Sequence, residues 1–233
     1  MTNTNLSAED IEAVLAEVRP RYTLTPVEAL EVTMRCVIDA IDQGIPGDLV
    51  ECGTWLGGCS FAMLLVQKRV YGEVRRPVWM YDSFEGMSPP TPEDGGHAAD
   101  WWSHARDLPK DVANNNYCIV PYEMVVEAVA TLGLEAHTRI RKGWLKDTLP
   151  IDKPAEIAVL RVDCDWYEPV KCVLDHLVPN VSDKGSIIID DYYAWEGAVL
   201  ATHEYLTEHK LPWQLKSIPG LNGAWMTKRV GAW

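Results

Sequence analysis

Several features that would place this protein in a specialised class are missing from its sequence. The six cysteines form no C-x-x-C pair and sit mainly in apolar stretches, which indicates reduced, buried thiols rather than a disulfide framework. Residues 1–10 are polar and lack the apolar core of a signal peptide. No apolar run approaches the roughly 20 residues that span a bilayer. The sequence therefore predicts a cytoplasmic protein.

Positive charge is also scarce. The chain has 21 Lys and Arg against 34 Asp and Glu, which gives a formal net charge of −13. Such a surface repels phosphate backbones and anionic lipids, so we expect no nucleic-acid partner and no membrane partner. The 233 residues, 47% of them hydrophobic, suffice for a large core and fit a single domain over 1–233 better than two.

Hydrophobic periodicity predicts an α/β fold. Two helices fill an N-terminal extension, 1–46, the first capped by Ser7 and the second by a capping box over 25–28 with proline at the first helical position. Strands and helices then alternate, which is typical of a mostly parallel sheet, here seven-stranded, with helices on both faces. Weak strands near 214–218 and 224–230 predict an antiparallel edge. Residues 84–118 lack a sustained period and predict a lid loop.

A glycine-rich turn, residues 51–58, joins the first strand to its helix. Such turns place a ligand against backbone amides at a helix N-terminus. The spacing is not G-x-G-x-x-G, and Trp55 stands where a dinucleotide site needs glycine. This opposes NAD or FAD but not a cofactor without phosphates, such as S-adenosylmethionine. Asp82 ends the next strand, where it is placed to bind ribose hydroxyls. The alternative is that Asp82 caps a local turn.

Acidic residues end two further strands. Asp163 follows the apolar run 157–162, while Asp190 and Asp191 follow 186–189. Since adjacent parallel strands end at the same edge of a sheet, we expect these three side chains to lie together. Three carboxylates in one cleft repel each other unless a cation neutralises them. Ligands that are all oxygen indicate a hard ion, Mg²⁺ or alternatively Mn²⁺ or Ca²⁺.

Each acid has an alternative structural interpretation. Asp165 precedes a predicted helix over 167–177, so we expect it to be an N-cap rather than a metal ligand. Asp191 could instead cap the helix near Trp195. An apolar run that ends in two aspartates could also be a solvated strand end.

Five segments share a family pattern, in this order: Val50-Glu51-Cys52-Gly53-Thr54-Trp55 with Gly57-Gly58, Tyr81-Asp82-Ser83-Phe84-Glu85-Gly86, Gly143-Trp144 with Asp147-Thr148-Leu149-Pro150, Leu160 to Glu168, and Gly185 to Tyr192. Together they resemble the macrocin O-methyltransferase (TylF-type) family of natural-product sugar methyltransferases. The resemblance spans about residues 47–204. It implies a class I (Rossmann-like) methyltransferase fold, S-adenosylmethionine as donor, Mg²⁺ held by Asp163, Asp190 and Asp191, and a homo-oligomer.

The resemblance also implies the cofactor contacts. Asp82 and Ser83 would lie at the ribose, and Gly143 and Trp144 near the adenine. The remaining residues assigned to the cofactor are Glu51, Gly53, Thr54, Trp55 and Ser60. Two departures from the family pattern, Cys164 in place of glycine and Trp166 in place of a smaller aliphatic residue, fall near the substrate.

The predicted function is Mg²⁺-dependent O-methylation of a small natural product, with a glycoside sugar hydroxyl as the favoured acceptor. A catechol or phenol O-methyltransferase and a non-catalytic S-adenosylmethionine-binding protein are the alternatives. Asp163 is the expected general base, because one of its oxygens can take the proton while the other holds metal, and Asp165 is the second candidate.

Aromatic residues are predicted to wall a flat or apolar acceptor. The candidates are Trp101, Trp102, Tyr192, Tyr193 and Trp195. The two N-terminal helices are amphipathic, which indicates a subunit contact in a homo-oligomer.

Overall fold

One seven-stranded sheet organises the protein. The computed structural model describes residues 6–105, 118–218 and 220–231. Five strands are parallel, and the last two form an antiparallel edge, in the order β3-β2-β1-β4-β5-β7-β6. The strands are Asp48–Cys52 (β1), Val78–Asp82 (β2), Thr138–Lys142 (β3), Ile157–Val162 (β4), Val181–Ile189 (β5), Lys216–Ser217 (β6) and Ala224–Thr227 (β7). The predicted α/β sheet and its antiparallel edge are confirmed.

Helices cover both faces of this sheet. They are Ala8–Val18 (α1), Val27–Asp42 (α2), Gly58–Tyr71 (α3), Gly95–Ala105 (α4), Tyr122–Thr131 (α5), Leu145–Thr148 (α6), Tyr167–Leu177 (α7) and Glu196–Glu208 (α8). The apolar sides of α1, α2, α3 and α5 belong to one buried cluster, and those of α7 and α8 belong to the other. Every residue of β4 is buried between the two clusters, as expected for a central parallel strand.

The chain order of the strands reverses next to β1. From β1 the chain moves outward through β2 to β3, then returns to β4 on the other side of β1. At such a switch point the loops after neighbouring strands diverge and open a crevice at the carboxyl edge of the sheet. The ends of β1, β2, β4 and β5 all reach this edge.

The two N-terminal helices begin differently. Ser7 caps α1, because its hydroxyl accepts the backbone N–H of Asp10 at 3.1 Å. The capping box predicted for α2 is wrong: the N-cap is Pro26, which has no side-chain bond to offer. The Thr25 hydroxyl instead lies 3.3 Å from Cys59 Sγ, so it joins α2 to α3.

The apolar faces of α1 and α2 are covered by the chain itself. Ile11, Val14 and Val18 of α1 are buried in the same cluster as α3. The amphipathic pattern of these helices is therefore satisfied within one subunit, and the homo-oligomer stays a prediction. Residues 1–5 of the predicted extension lie outside the described part.

Much of the predicted lid loop is regular structure. Pro92–Asp94 forms a 3₁₀ turn that leads into α4, so the prediction of a structureless segment is wrong for 92–105. Residues 106–117 of that prediction lie outside the described part. Asp94 explains why this segment is regular. Its side chain is fully buried, and its Oδ1 accepts the backbone N–H of Tyr167 at 2.6 Å. A Cβ on Gly197 would lie 1.9 Å from the same oxygen, so α8 also packs closely against Asp94.

Among the described residues, no helix combines the length and apolar character needed to cross a bilayer.

Candidate active site

A large cavity of about 1090 Å³ opens at the carboxyl edge of the sheet. Its wall combines the glycine turn after β1 with the ends of β2, β4 and β5. Seven of the nine residues predicted to bind cofactor line it, and so do all three predicted metal ligands. The two that do not are Ser60 and Gly143. The cavity therefore brings most of the predicted site together.

The three acids meet as expected. β4 and β5 pair in parallel with Val162 opposite Ile189, and the N–H of Asp190 donates to the carbonyl of Val162 at 2.9 Å. This register sets Asp163 beside Asp190 and Asp191. One carboxylate oxygen from each of the three lies within 4.8 Å of the others. The predicted convergence is confirmed.

Arg161 completes this group and was missed from the sequence. Its side chain is fully buried, and Nη2 lies 2.8 Å from Asp163 Oδ2 and 2.8 Å from Asp190 Oδ1. Its Nε donates to Glu51 Oε1 at 3.2 Å. The expectation that only a bound metal could neutralise the acids is therefore wrong, since the protein carries one cation of its own. An arginine inside an otherwise apolar strand was the available signal, because a buried charge needs a partner.

One guanidinium does not balance the acids around it. Burial, and then the charge of Asp190, raises the pKa of Asp163 well above its usual range despite Arg161. Burial, and then the neighbouring acids, likewise raises the pKa of Asp191. Burial alone would lower the pKa of Arg161, but the surrounding negative charge outweighs it and raises that pKa. Negative charge thus remains in excess, and an added cation would lower the free energy of the site.

The donor set fits a hard divalent cation. Asp191 Oδ2 is buried and has no hydrogen-bond partner among the described residues. A buried polar atom without a partner is costly in a native fold and points to a ligand. Carboxylate oxygens without His or Cys suit Mg²⁺ best.

Asp165 does not cap α7. The N-cap is Trp166, and the first helical N–H is taken by Asp94 from the 3₁₀ turn. Asp165 has a left-handed backbone (φ +56°), which turns its side chain into the cavity wall. Its Oδ1 accepts the indole N–H of Trp195 at 3.0 Å. Burial raises the pKa of Asp165 to about 6, although that hydrogen bond opposes the shift.

The alternative role of Asp191 as a helix cap is not observed either. The N-cap of α8 is Trp195, which has no side-chain cap. Asp191 contributes only its backbone carbonyl there, accepting the N–H of Trp195 at 3.1 Å.

The glycine turn packs directly on the loop that carries the acids. Gly53 has φ +81°, and a Cβ there would lie 1.7 Å from the carbonyl oxygen of Asp163. Only glycine fits this position. The turn after β1 and the acid loop after β4 therefore hold each other in place.

Asp82 holds the other side of this turn. Its Oδ2 accepts the N–H groups of Thr54 and Trp55 at 2.8 and 2.9 Å, and its Oδ1 accepts that of Phe84 at 2.7 Å. The local role kept as an alternative for Asp82 is thus present. A carboxylate has about four lone-pair sites, so one remains for a ribose hydroxyl. Thr54 Oγ1 and Trp55 Nε1 are buried beside it without a partner among the described residues.

Glu51 and Ser60 form a polar pair beneath the cavity. The Ser60 hydroxyl donates to Glu51 Oε2, and both side chains are almost completely buried. Burial raises the pKa of Glu51, while Arg161 and the serine bond oppose the shift. Glu51 reaches the cavity wall, whereas Ser60 acts only through Glu51.

The predicted ribose and adenine contacts lie at one end of the cavity. Ser83 and Trp144 line it, while the N–H of Gly143 donates to the backbone carbonyl of Asp82 at 2.9 Å. Gly143 has φ +141°, a conformation that favours glycine, so it shapes the turn that presents Trp144.

The aromatic residues that line the cavity are not the ones that were predicted. In the described chain, none of the five predicted aromatic residues lines the cavity; the aromatic residues that line it are Trp55, Tyr81, Trp144, Trp166 and Tyr167. Trp101 and Trp195 pack behind Trp166, with ring centroids at 5.9 and 4.9 Å. The indole N–H of Trp166 donates to the carbonyl of Ser88 at 2.9 Å, which fixes its orientation.

Known proteins are similar to this chain in sequence. The family model described as Macrocin-O-methyltransferase (TylF) matches residues 6–227. The chain is 37% identical over 206 residues to the 8-demethyl-8-(2,3-dimethoxy-alpha-L-rhamnosyl)-tetracenomycin-C 4'-O-methyltransferase of Streptomyces olivaceus, covering 88% of this chain and 75% of the relative. It is 34% identical over 193 residues to the Mycinamicin III 3''-O-methyltransferase of Micromonospora griseorubida, covering 81% and 71%.

A solved structure supports the same grouping. The O-methyltransferase NovP superposes with a TM-score of 0.78 at 30% identity, covering 90% of this chain and 83% of that one. The predicted class I, Rossmann-like methyltransferase fold is confirmed.

Proposed function

Because this chain belongs to the macrocin-O-methyltransferase (TylF) family, and is therefore an O-methyltransferase, we propose that it methylates a sugar hydroxyl of a glycosylated natural product, with S-adenosylmethionine as donor and Mg²⁺ as cofactor. The observation that carries the proposal is the convergence of Asp163, Asp190 and Asp191 in the cavity that the glycine turn also lines. The non-catalytic alternative is not proposed, because the family is one of enzymes.

The names of the relatives favour a sugar acceptor. One is named for a rhamnosyl 4'-hydroxyl of tetracenomycin, and another for a 3''-hydroxyl of mycinamicin. The aromatic wall is compatible with a phenol as well, so the phenolic alternative is retained as an arm of the test.

Different residues of the cavity would bind the cation and the methyl donor. Asp163, Asp190 and Asp191 would hold the cation, and the glycine turn with Asp82 would hold the donor's nucleoside. When bound, Mg²⁺ lowers the pKa of an acceptor hydroxyl and fixes its position, and S-adenosylmethionine supplies the electrophilic methyl group. Alignment of the two reactants by these residues contributes up to roughly 7–11 kcal/mol to lowering the barrier.

The proton acceptor is better assigned to Asp165 than to Asp163. Asp163 already accepts from Arg161 through Oδ2, and as a proposed metal ligand it would use its other oxygen, so neither oxygen is left for the proton. Asp165 has only one of its oxygens engaged, by Trp195, and its pKa of about 6 suits proton transfer near neutral pH. We therefore propose Asp165 as the general base and keep Asp163 as a ligand.

Metal removal tests the proposed function. We expect EDTA to stop methyl transfer to a rhamnosylated aglycone and added Mg²⁺ to restore it, with the product identified by mass spectrometry. A catechol offered under the same conditions separates the phenolic alternative. Turnover that continues unchanged in EDTA contradicts the metal assignment, and methylation of the catechol alone contradicts the sugar acceptor.

Two isosteric variants distinguish a metal ligand from the general base. Asp165→Asn should lower turnover by roughly 10²–10⁴-fold, the usual contribution of a general base. Its affinity for Mn²⁺, measured by electron paramagnetic resonance, should stay unchanged. Asp163→Asn should weaken Mn²⁺ binding. Equal loss of metal affinity in both variants would assign Asp165 to the metal instead.

A further inference from the structure

Arg161 sits at the centre of a buried chain of polar contacts. The Ser60 hydroxyl donates to Glu51, Glu51 accepts from Arg161 Nε, and Arg161 Nη2 bridges Asp163 and Asp190. The guanidinium and Ser60 have no exposed surface, and Glu51 is 1% exposed. The chain thus runs from the start of α3 under the cavity to two of the proposed metal ligands.

The bridge fixes how both carboxylates are turned. A single nitrogen lies 2.8 Å from one oxygen of Asp163 and 2.8 Å from one oxygen of Asp190. Because the two oxygens of a carboxylate point to different sides, holding one of them fixes rotation about the last side-chain bond. The second oxygen of each residue is thereby left for another partner, and one oxygen of Asp191 has none among the described residues.

We propose that Arg161 is a positioning residue for the divalent cation, which sets the orientation of Asp163 and Asp190 before the ion binds. This inference rests on the proposed function, since it concerns the same metal site. Partners that orient metal ligands from behind typically contribute 10–100-fold to metal affinity.

Simple charge repulsion makes a different prediction. A fixed positive charge next to a divalent cation lowers the affinity of the site, so a variant that keeps the charge would bind the ion as tightly as the parent chain. A loss of affinity in a variant that keeps the charge therefore separates orientation from repulsion.

Arg161→Lys is the decisive variant. Lysine keeps the positive charge but lacks the planar fork that contacts Glu51 and both aspartates together. Mn²⁺ is the probe, and its free concentration is followed by electron paramagnetic resonance in a titration of the cofactor-free protein. We expect Arg161→Lys to bind Mn²⁺ about 10–100-fold more weakly than the parent chain.

Arg76→Lys is the matched control. Arg76 is a partly buried arginine that donates to the backbone carbonyls of Gly47 and Ala40, at the opposite end of β1. The Mn²⁺ affinity of the Arg76→Lys variant should equal that of the parent chain. Binding of S-adenosylhomocysteine, measured by calorimetry, verifies that each variant is folded.

Ser60→Ala keeps the inference testable if Arg161→Lys does not fold. It removes the hydroxyl that holds Glu51 without touching the cavity wall, so Mn²⁺ affinity should fall in the same direction by a smaller factor. Unchanged or tighter Mn²⁺ binding in the folded variants overturns the role of Arg161 while leaving the metal site in place. A parent chain that binds no Mn²⁺ overturns the proposed metal site itself, and the role of Arg161 with it.

Discussion

Asp82 and Asp191 lie at the same edge of the sheet but have very different surroundings. Asp82 is the last residue of β2, Asp191 lies two residues after the end of β5, and both line the same cavity. Asp82 accepts three backbone N–H groups, whereas Asp191 has a buried oxygen with no partner in the described chain. A carboxylate that accepts several backbone N–H groups shapes a turn, and one left among other acids needs a ligand. The number of N–H groups that face the side chain decides which role a strand-end acid takes.

The largest expected effect is the loss of methyl transfer when Asp191 is truncated. Asp191→Ala should reduce methyl transfer by more than about 100-fold, beyond the loss typical of an outer-shell partner. The melting temperature of the metal-free protein should stay the same or rise, because a buried charge among like charges is removed. Product formation and thermal unfolding in EDTA measure the two effects. Glu156→Ala, which removes an exposed acid just before β4 at the opposite end of the sheet, is the control and should change neither. A large drop in melting temperature would mean that Asp191 is structural after all.

Truncation of Asp82, which accepts three backbone N–H groups, should lower the stability of the protein. Asp82→Ala leaves three backbone N–H groups without their acceptor, so the free energy of unfolding should fall by about 2 kcal/mol or more. Binding of S-adenosylhomocysteine should weaken too, because the glycine turn loses its support. Chemical denaturation and calorimetry measure these changes. Wild-type stability with weakened binding would instead assign Asp82 entirely to the ribose.

The smallest effect is expected at Thr54. It tests whether an unpartnered group in the glycine turn, like the unpartnered oxygen of Asp191, serves a ligand. Its hydroxyl is buried and has no partner among the described residues. Thr54→Val should leave the stability of the ligand-free protein unchanged or slightly higher. It should weaken S-adenosylhomocysteine binding by roughly 3–10-fold, the value of one hydrogen bond. Equal affinity in the two proteins would show that the ligand does not use this hydroxyl.

Local sequence pattern was enough to predict most of the fold. The apolar run 157–162 and the helix 167–177 have the bounds that were expected, because periodicity and burial agree there. β5 starts at Val181, five positions before the expected strand, since Ser182, Asp183 and Lys184 are polar and partly or fully exposed and interrupt the apolar pattern. The short helix α6 was missed because four residues carry no period.

Prediction of the site succeeded where backbone topology alone sets the positions. Strand ends bring Asp163, Asp190 and Asp191 together whatever their side chains do. It failed where one side chain reaches across elements: Arg161 to Glu51, and Asp94 to Tyr167. Those contacts depend on tertiary packing, and no spacing along the chain encodes them. Thr91-Pro92-Glu93-Asp94 did carry a local capping signal, which would have revealed the turn before α4.

The close contact between Asp94 and Gly197 has a consequence for engineering new acceptor specificity. Part of the wall behind Trp166 comes from residues 88–105, so a chimera that grafts this segment from a relative is an obvious route to exchange acceptors. The two positions are about a hundred residues apart in the chain, yet a side chain on residue 197 would collide with the carboxylate of residue 94. A successful graft must therefore carry a compatible pair at 94 and 197, and recombination breakpoints that separate them will disrupt the start of α7.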